Sequence, residues 1–269
     1  MLLNKKKCPL CNKSKVKFSY TSIKDKIDYS NCKNCGLYFQ TKINSLTYKN
    51  LSDLYTKEYF KKGYTKEGKG GYANRLHQYL KDKEYIDNFY NNSRKNNILD
   101  FGCGNGKFLK LFSGNRFGFE FNKDVIVTSE LTLLSLNQIK KKKFDLIIMR
   151  GVIEHIKDFK KILLILKNSL KKNGLFVILA TPNTLSYTFI KNKKAFNQNN
   201  ERHLYHFNYI NLTDLFIKLG LYNLDTSFPY YKTPYQNFKN DIKDLKKIKS
   251  VKNSPPFVGN MLSMVFKKI

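Results

Sequence analysis

Residues 97 to 108 read Asn-Ile-Leu-Asp-Phe-Gly-Cys-Gly-Asn-Gly-Lys-Phe, so an aliphatic run ends in an acid and passes straight into alternating glycines. The pattern predicts a β-strand, a tight turn and the start of a helix. Glycine is required where the backbone takes a positive φ or comes within contact distance of a ligand, and an acid at the strand tip can face that ligand. We therefore predict that a nucleotide-like cofactor binds at this turn.

Two phosphate-binding patterns do not fit the turn. A dinucleotide fingerprint needs a glycine at the position of Lys107, and a phosphate loop needs a Gly-Lys-Ser/Thr ending that is missing here. The order acid-x-Gly-x-Gly-x-Gly instead resembles motif I of the class I S-adenosylmethionine-dependent methyltransferases, whose cofactor carries a cationic sulfonium and no phosphate. The residues of this motif are Asp100, Gly102, Gly104 and Gly106. The alternative is a strand-to-helix turn with a structural role only.

A second acid follows about 20 residues later, which is the offset at which Rossmann-type sites place the ribose-binding carboxylate. This acid is Glu120, at the end of a predicted strand over residues 116–121. Its two carboxylate oxygens match the vicinal hydroxyls of a ribose. Glu120 also resembles the motif II acid of the same family.

A third predicted strand, residues 144–149, leads into Arg150-Gly151-Val152-Ile153-Glu154-His155. This segment resembles the F-D-x-I…E-H segment of the family, and it follows the first two motifs in the expected order. The resemblance implies that the cofactor is S-adenosylmethionine. The cofactor-binding residues that it implies are Asp100, Gly102, Gly104, Gly106, Glu120 and Arg150.

Length and composition indicate a folded protein. At 269 residues and 41% hydrophobic content, the chain is long enough for one α/β domain plus a small appendage. Its best apolar run, residues 162–166, is far shorter than the roughly 18 residues that a membrane span requires. Residues 1–7 lack the apolar stretch of a secretory signal. We therefore expect no membrane span and a cytoplasmic location.

The formal net charge of +30 would ordinarily point to nucleic acid or an anionic membrane surface. We give it little weight, because nearly all the basic residues are lysines and nucleic-acid readers favour the bidentate fork of arginine. The chain is also rich in Asn and Ile, and an AT-rich genome produces such a composition without selection for binding. The charge can still steer a phosphorylated or acidic substrate towards the protein.

Four of the five cysteines form two C-x-x-C pairs, Cys8 with Cys11 and Cys32 with Cys35. This spacing predicts a four-cysteine zinc site, and the stretch between the pairs alternates like the strands of a zinc ribbon. Four protein ligands leave no position for a catalytic water, so we expect a structural zinc. The alternative is two disulfides, which the lack of a secretory signal disfavours. We interpret Cys103 as a small residue that fills a tight space.

Predicted strands and helices alternate from residue 96 onward, which is typical of a parallel sheet flanked by helices. The resemblance implies an α/β fold with a Rossmann-like methyltransferase sheet that is mostly parallel and has an antiparallel last strand. We divide the chain into a zinc ribbon at 1–42, a helical and loop cap segment at 43–95 and a class I methyltransferase domain at 96–269.

The spacing of apolar residues predicts two helices in particular. The first spans residues 158–171, and Asn173-Gly174 predicts its C-terminal cap. The second lies within residues 74–89. Its predicted apolar face consists of Leu76, Tyr79, Leu80, Ile86 and Phe89.

Methyl transfer from a sulfonium has a good leaving group in place, so the protein has mainly to align the acceptor and remove its proton. Histidine suits the second task because its unperturbed pKa lies near neutrality. We predict His203 as the first catalytic candidate, followed by His206 and His155, since residues 203–207 resemble the H-L-x-x-F segment of relatives. The alternative for each is a pocket or capping histidine that transfers no proton.

The pair Glu154-His155 is similar to metal-binding E-x-x-E-H segments of quinone-biosynthesis O-methyltransferases. Gly151 stands where the first acid of that segment would be, which argues against a metal there. We interpret the pair as a cap of the following helix and as the floor below the cofactor.

These patterns predict an S-adenosylmethionine-dependent methyltransferase that acts on a small-molecule acceptor. We expect a sugar, a nucleotide-sugar or a surface-polysaccharide precursor, because the four-cysteine ribbon resembles that of a subgroup often encoded with such biosynthetic enzymes. The contrasting hypothesis is a zinc-ribbon nucleic-acid-binding protein or an RNA methyltransferase, whose RNA affinity would fall steeply with salt. The sequence indicates neither the acceptor atom, nor a residue that contacts adenine, nor the oligomeric state.

Overall fold

The computed structural model describes residues 7–55, 72–122, 131–191, 193–195, 200–230, 239, 242–243 and 259–269. Its strands are β1 (Val16–Thr21), β2 (Asp28–Cys32), β3 (Tyr38–Gln40), β4 (Asn97–Phe101), β5 (Asn115–Phe119), β6 (Thr132–Leu133), β7 (Phe144–Arg150), β8 (Leu170–Pro182), β9 (Tyr205–His206), β10 (Leu221–Ser227) and β11 (Met261–Lys268). Its α-helices are α1 (Tyr48–Asp53), α2 (Tyr72–Asp87), α3 (Leu136–Lys140), α4 (Phe159–Ser169), α5 (Tyr187–Lys191) and α6 (Tyr209–Lys218). Residues 56–71 of the proposed cap segment lie outside the described residues. No helix within these ranges is long and apolar enough to cross a membrane.

A seven-stranded sheet forms the centre of the molecule, in the order β10-β11-β8-β7-β4-β5-β6. Neighbouring strands from β8 to β6 are parallel, whereas β11 runs antiparallel to both β8 and β10. This confirms the predicted mostly parallel sheet with an antiparallel last strand. The register pairs Asp100 of β4 with Gly118 of β5, so the carboxyl ends of these two strands lie at one edge.

The strand β7 lies inside the sheet and is covered on both faces. Its residues 146–149 are fully buried, as expected of a parallel strand with helices on both sides. Alternate side chains point to opposite faces. Ile147 belongs to the apolar cluster that includes Phe159 of α4, and Ile148 belongs to the cluster that includes Tyr79 of α2.

The helix α4 ends before its predicted cap. Leu170 is already extended and pairs with Phe144 as the first residue of β8. The prediction of a cap at Asn173-Gly174 is therefore wrong, although Asn173 does have a positive φ of 62°. Pairing with β7 skips from Leu170 to Leu175, so the left-handed residue belongs to an irregularity within the strand.

The helix α2 buries only part of its predicted face. Tyr79 and Ile86 are buried as predicted, but Leu80 is 50% exposed, so its assignment to the face is wrong. The buried position between Tyr79 and Ile86 is held by Asp82, which pairs with Arg150 at the end of β7. An ion pair thus occupies a place on the helix face that the spacing assigns to an apolar residue.

A second sheet joins the N-terminal segment to the rest of the chain. β1, β2 and β3 pair antiparallel in sequence, as the ribbon interpretation predicts, and β9 adds to β3 as a fourth strand. The register pairs Tyr38 with His206 and Phe39 with Tyr205. Residues from the far half of the chain therefore complete the ribbon's sheet.

Cys103 and Gly118 share a space with no room for another carbon atom. A Cβ on Gly118 would lie 2.7 Å from Sγ of Cys103 and 2.8 Å from Cδ1 of Leu131. Cys103 is buried, and burial raises the pKa of its thiol. A buried thiol of raised pKa is a poor nucleophile, in agreement with the interpretation of Cys103 as a small packing residue.

We expect Gly118→Ala to lower the free energy of unfolding by about 1–3 kcal/mol, because the added methyl group overpacks this space. The double variant Gly118→Ala/Cys103→Ala should recover part of the loss, since removal of Sγ opens the space. Chemical denaturation of both single variants and the double variant measures the coupling, expected at about 0.5–3 kcal/mol for residues in contact. Strictly additive effects would contradict the packing argument.

Candidate functional site

Glycines shape the turn that follows β4. Gly102, Gly104 and Gly106 have φ values of 85°, 53° and 77°, which residues with a side chain rarely adopt. A Cβ on Gly102 would also lie 2.5 Å from Cγ2 of Val152. The turn therefore needs glycine both for its backbone conformation and for its close approach to the segment after β7.

Main-chain hydrogen bonds hold this turn against the end of β5. The N–H groups of Gly102 and Cys103 donate to the carbonyl of Phe119, at 2.7 and 3.0 Å. The helix start predicted after the turn is a single 3-10 turn, Leu109–Leu111. The glycine turn is thus joined more firmly to β5 than to a following helix.

Glu120, the residue after β5, links the two strand ends through its carboxylate. Oε2 accepts from the N–H of Gly104 at 2.8 Å, and Oε1 accepts from the N–H of Asn122 at 3.0 Å. Burial raises the pKa of Glu120, and these backbone donors partly oppose the rise. Each carboxylate oxygen has a second lone pair, so Glu120 can still accept from the hydroxyls of a ligand.

Asp100 lies at the same edge of the sheet and is 3% exposed. No donor among the described residues reaches its Oδ1. Burial raises the pKa of Asp100 to about 7; the charge of Arg150 opposes this rise and that of Glu120 adds to it. A buried carboxylate oxygen without a donor is destabilising. Such an atom is expected where a ligand supplies the donor.

Arg150 contacts α2, and its guanidinium also lies 5.8 Å from the centre of the ring of Phe108, which follows the glycine turn. Its Nε donates to Oδ2 of Asp82 at 2.8 Å, and its guanidinium lies 4.6 Å from the centre of the Tyr79 ring. The sequence analysis did not single out Asp82. This acid lies three residues after Tyr79 and four before Ile86, on the apolar face of the predicted helix. That position could have indicated a buried ion pair. The predicted contact of Arg150 with the cofactor stays a prediction.

Glu154 lies in a 3-10 turn, Ile153–His155, at the same edge of the sheet. The hydroxyl of Thr181, near the end of β8, donates to Oε2 of Glu154 at 3.2 Å. Burial raises the pKa of Glu154 to about 7. The interpretation of Glu154-His155 as a cap of α4 is wrong, because the N-cap residue of that helix is Asp158.

The three candidate histidines lie side by side. The ring centres of His155 and His203 are 4.5 Å apart, and those of His203 and His206 are 5.9 Å apart. The side chain of His155 is 20% exposed, His203 is 7% exposed and His206 is fully buried. Burial lowers the pKa of His155 to about 4, that of His206 to about 3 and that of His203 well below its usual value. All three imidazoles are thus neutral at pH 7, and their catalytic roles stay predictions.

The four predicted cysteine ligands converge at one end of the ribbon. Sγ of Cys8 lies 3.6 Å from that of Cys35, and Sγ of Cys11 lies 3.5 Å from that of Cys32. Thiolates around a tetrahedral zinc, at bonds of about 2.3 Å, are about 3.8 Å apart, so the cluster fits such an ion, and the cysteines are free rather than disulfide-bonded. The hydrogen bond between the Cys8 and Cys35 thiols lowers the pKa of Cys8 and raises that of Cys35. A lowered pKa favours the thiolate that binds a metal.

Comparisons with known proteins agree with this architecture. The family described as "Methyltransferase domain" matches residues 72–226. A SAM-dependent methyltransferase from Archaeoglobus fulgidus is 18% identical, with a TM-score of 0.53 over 72% of this chain and 94% of its own. A SAM-dependent methyltransferase from Thermotoga maritima is 20% identical, with a TM-score of 0.52 over 74% of this chain and 92% of its own. No curated protein matches the sequence.

The family match covers more than half of the chain and includes the glycine turn, Glu120 and the histidine row. At such low identities, the solved structures show that the fold is shared. The order of strands, the glycine turn and the family match thus lead to one conclusion: the chain belongs to the methyltransferase-domain family and carries an N-terminal cluster of four cysteines.

Proposed function

We propose that S-adenosylmethionine binds across the glycine turn, and that its methyl group is transferred to a small polar acceptor: a sugar, a nucleotide-sugar or a surface-polysaccharide precursor. One observation carries the donor part of this proposal. Asp100 and Glu120 end adjacent parallel strands on either side of the turn, and Oδ1 of Asp100 is buried without a donor among the described residues.

S-adenosylmethionine carries hydrogen-bond donors that match the carboxylates at this edge of the sheet. Its ammonium group is a donor for Asp100, and its ribose diol matches the two oxygens of Glu120. Gly102, Gly104 and Gly106 have no side chains to keep the cofactor away from the main chain. When bound, the cofactor supplies an activated methyl group, so the protein has to align the acceptor and accept its proton.

We propose that Arg150 also supports the donor site indirectly, in addition to its predicted contact with the cofactor. Its guanidinium lowers the pKa of Asp100 against the larger effect of burial. Asp82 anchors that guanidinium at 2.8 Å. We propose that Arg150 keeps Asp100 closer to its ionised form, which is the form that binds an ammonium group.

A cavity on the ribbon side supports the choice of a polar acceptor. It has a volume of about 460 Å³ and lies between the ribbon and α1. Lysines bind phosphate groups, and carboxylates accept from sugar hydroxyls, so polar walls of this kind suit a hydroxyl- or phosphate-bearing molecule. The polar lining residues are Lys26, Asp28, Gln40, Lys42, Asn50, Asp53 and Glu201, and the apolar ones are Ile27, Leu46, Leu51 and Leu54.

We assign the alignment and deprotonation of the acceptor to His203 and His155. Both imidazoles are neutral, so each has a nitrogen lone pair that can accept a hydrogen bond from the hydroxyl of an acceptor, and the side chain of His155 is partly exposed. His206 is fully buried, with its ring 4.9 Å from that of Tyr29 and 5.8 Å from that of Phe189. We propose that the buried ring of His206 packs near that of His203 and fixes its orientation.

The ribbon holds the segment that carries His203. The side-chain amide of Gln40 donates to the carbonyls of Asn200, Glu201 and His203. The hydroxyl of Tyr29 donates to the carbonyl of His203 at 3.1 Å. We therefore propose that His203 keeps its position only while the ribbon is folded.

Replacement of Asp100 or Glu120 should weaken cofactor binding. We expect S-adenosylhomocysteine, which shares the amino-acid tail and the ribose, to bind Asp100→Asn and Glu120→Gln about 10- to 100-fold more weakly than wild type, the effect of losing one charge-assisted hydrogen bond. Titration calorimetry measures the affinities. Asp87→Asn, in an exposed ion pair with Lys83 on α2, is the matched control. Wild-type affinity in both site variants would falsify the donor assignment.

Cofactor affinity should depend on pH through Asp100. Burial raises the pKa of this carboxyl to about 7, so it is ionised above that pH and neutral below it. Because the ammonium group binds the ionised form, we expect the affinity for S-adenosylhomocysteine to fall below pH 7, by up to about tenfold per pH unit. Calorimetry over this range should show no such decline for Asp100→Asn. If the affinity of Asp100→Asn declined by the same amount, the pH dependence would come from a titrating group other than Asp100.

Loss of the cysteine cluster should disturb the acceptor side and spare the donor side. We expect Cys35→Ser to increase hydrogen exchange in residues 200–206, because Gln40 and Tyr29 lose the ordered sheet that positions them. Hydrogen-exchange mass spectrometry measures this effect, and calorimetry with S-adenosylhomocysteine on the same sample checks the donor site. Unchanged exchange in residues 200–206 would contradict a positioning role for the ribbon.

A further inference from the structure

Glu154, His155 and His203 form a cluster of metal-ligand type, apart from the four cysteines. Each side chain offers one ligand atom, and these atoms lie within 4.8 Å of one another. Nε2 of His155 is 4.0 Å from Oε1 of Glu154. Two ligands of one tetrahedral ion, at bonds of about 2.0–2.2 Å, lie about 3.3–3.6 Å apart. The separations between the three ligand atoms therefore have to shorten by roughly 1 Å for the side chains to share a single ion.

Hydrogen bonding presents the unprotonated nitrogen of His155 to this cluster. Nδ1 of His155 lies 2.9 Å from the carbonyl of Arg202, and a carbonyl only accepts, so Nδ1 carries the proton. Nε2 then holds a lone pair, and it is the atom that faces Glu154. A metal-bound histidine commonly donates its other N–H to a backbone carbonyl in this way.

The other two proposed ligands, His203 and Glu154, are buried and have polar atoms that a cation could bind. Nδ1 of His203 is buried and has no hydrogen-bond partner among the described residues. Glu154 is buried as well; Thr181 donates to its Oε2, while its Oε1 faces His155. A positive ion would compensate the burial of these polar groups.

We propose that Glu154, His155 and His203 bind a first-row divalent transition-metal ion. Two imidazoles and one carboxylate suit Zn²⁺, Fe²⁺, Co²⁺ or Mn²⁺ rather than Ca²⁺ or Mg²⁺, which prefer oxygen ligands. Three protein ligands leave a coordination position open, and the partly exposed side of His155 provides access. Sequence reasoning argued against a metal because of Gly151; the third ligand, His203, comes from a distant segment instead.

An ion at this place changes how an acceptor would be activated. With their lone pairs on the metal, His155 and His203 would hold the ion instead of accepting the acceptor's proton themselves. The ion would supply a Lewis acid that lowers the pKa of a bound hydroxyl, whose proton would leave to water. This role rests on the proposed methyl transfer, whereas metal binding by itself does not.

The test uses the full-length protein, stripped of metal and titrated with Co²⁺. We expect two equivalents to bind. The first should show the intense thiolate-to-cobalt absorption of the cysteine cluster, and the second should add only weak visible bands, because nitrogen and oxygen ligands give no thiolate transition. Glu154→Gln and His203→Gln should lose the second equivalent, with at least about 100-fold weaker binding, and keep the first. His77→Gln, an exposed histidine on α2, is the matched control and should keep both.

The first equivalent and the binding of S-adenosylhomocysteine show whether each variant is folded. Should a buried variant fail to fold, His155→Gln, at the partly exposed ligand, replaces it. A single equivalent in the wild type, or a second equivalent that survives in all the site variants, would overturn the metal proposal. Binding of S-adenosylhomocysteine to wild type together with either result would leave the donor site standing, so the two proposals fail separately.

Discussion

The parallel pairing of β4 with β5 is the constraint on which the cofactor edge depends. It sets Asp100 opposite Gly118, so that both strands end at the same level. The carboxylate of Glu120 then accepts from the N–H of Gly104 and supports the turn. Oδ1 of Asp100 is buried and meets no donor within the described part of the chain. A slip in this register would separate the two carboxylates and remove the support of the glycine turn.

The position of the three histidines depends on a second, smaller sheet whose strands come from distant parts of the chain. β9 pairs with β3, and Gln40 binds the carbonyls around His203. The ribbon is therefore part of the wall that carries the histidines. A small cluster of thiolates can stabilise this wall from outside the reaction centre, since metal binding to such a site is coupled to folding.

The position of Asp100 and Glu120 at one edge of the sheet was largely predictable, because the two residues lie where neighbouring strands end. Asp100 and Glu120 each end a strand, and parallel strands place such ends together. The predictions failed where a distant contact overrode a local preference. α4 stops before Asn173 because β8 begins to pair at Leu170, and Asp82 takes a buried place on α2 because Arg150 neutralises it. In both cases the contacting residue is distant in sequence, so the local sequence pattern does not reveal it.

The sequence by itself determined the alternation of strands and helices, the glycine turn and the spacing of the cysteine pairs. Each of these depends on backbone preferences and side-chain spacing among near neighbours. Only the tertiary structure decided that β9 completes the ribbon and that Glu154, His155 and His203 share one small volume. These groups lie on separate segments, and their meeting depends on sheet register and on burial, which are properties of the whole fold rather than of any stretch of chain.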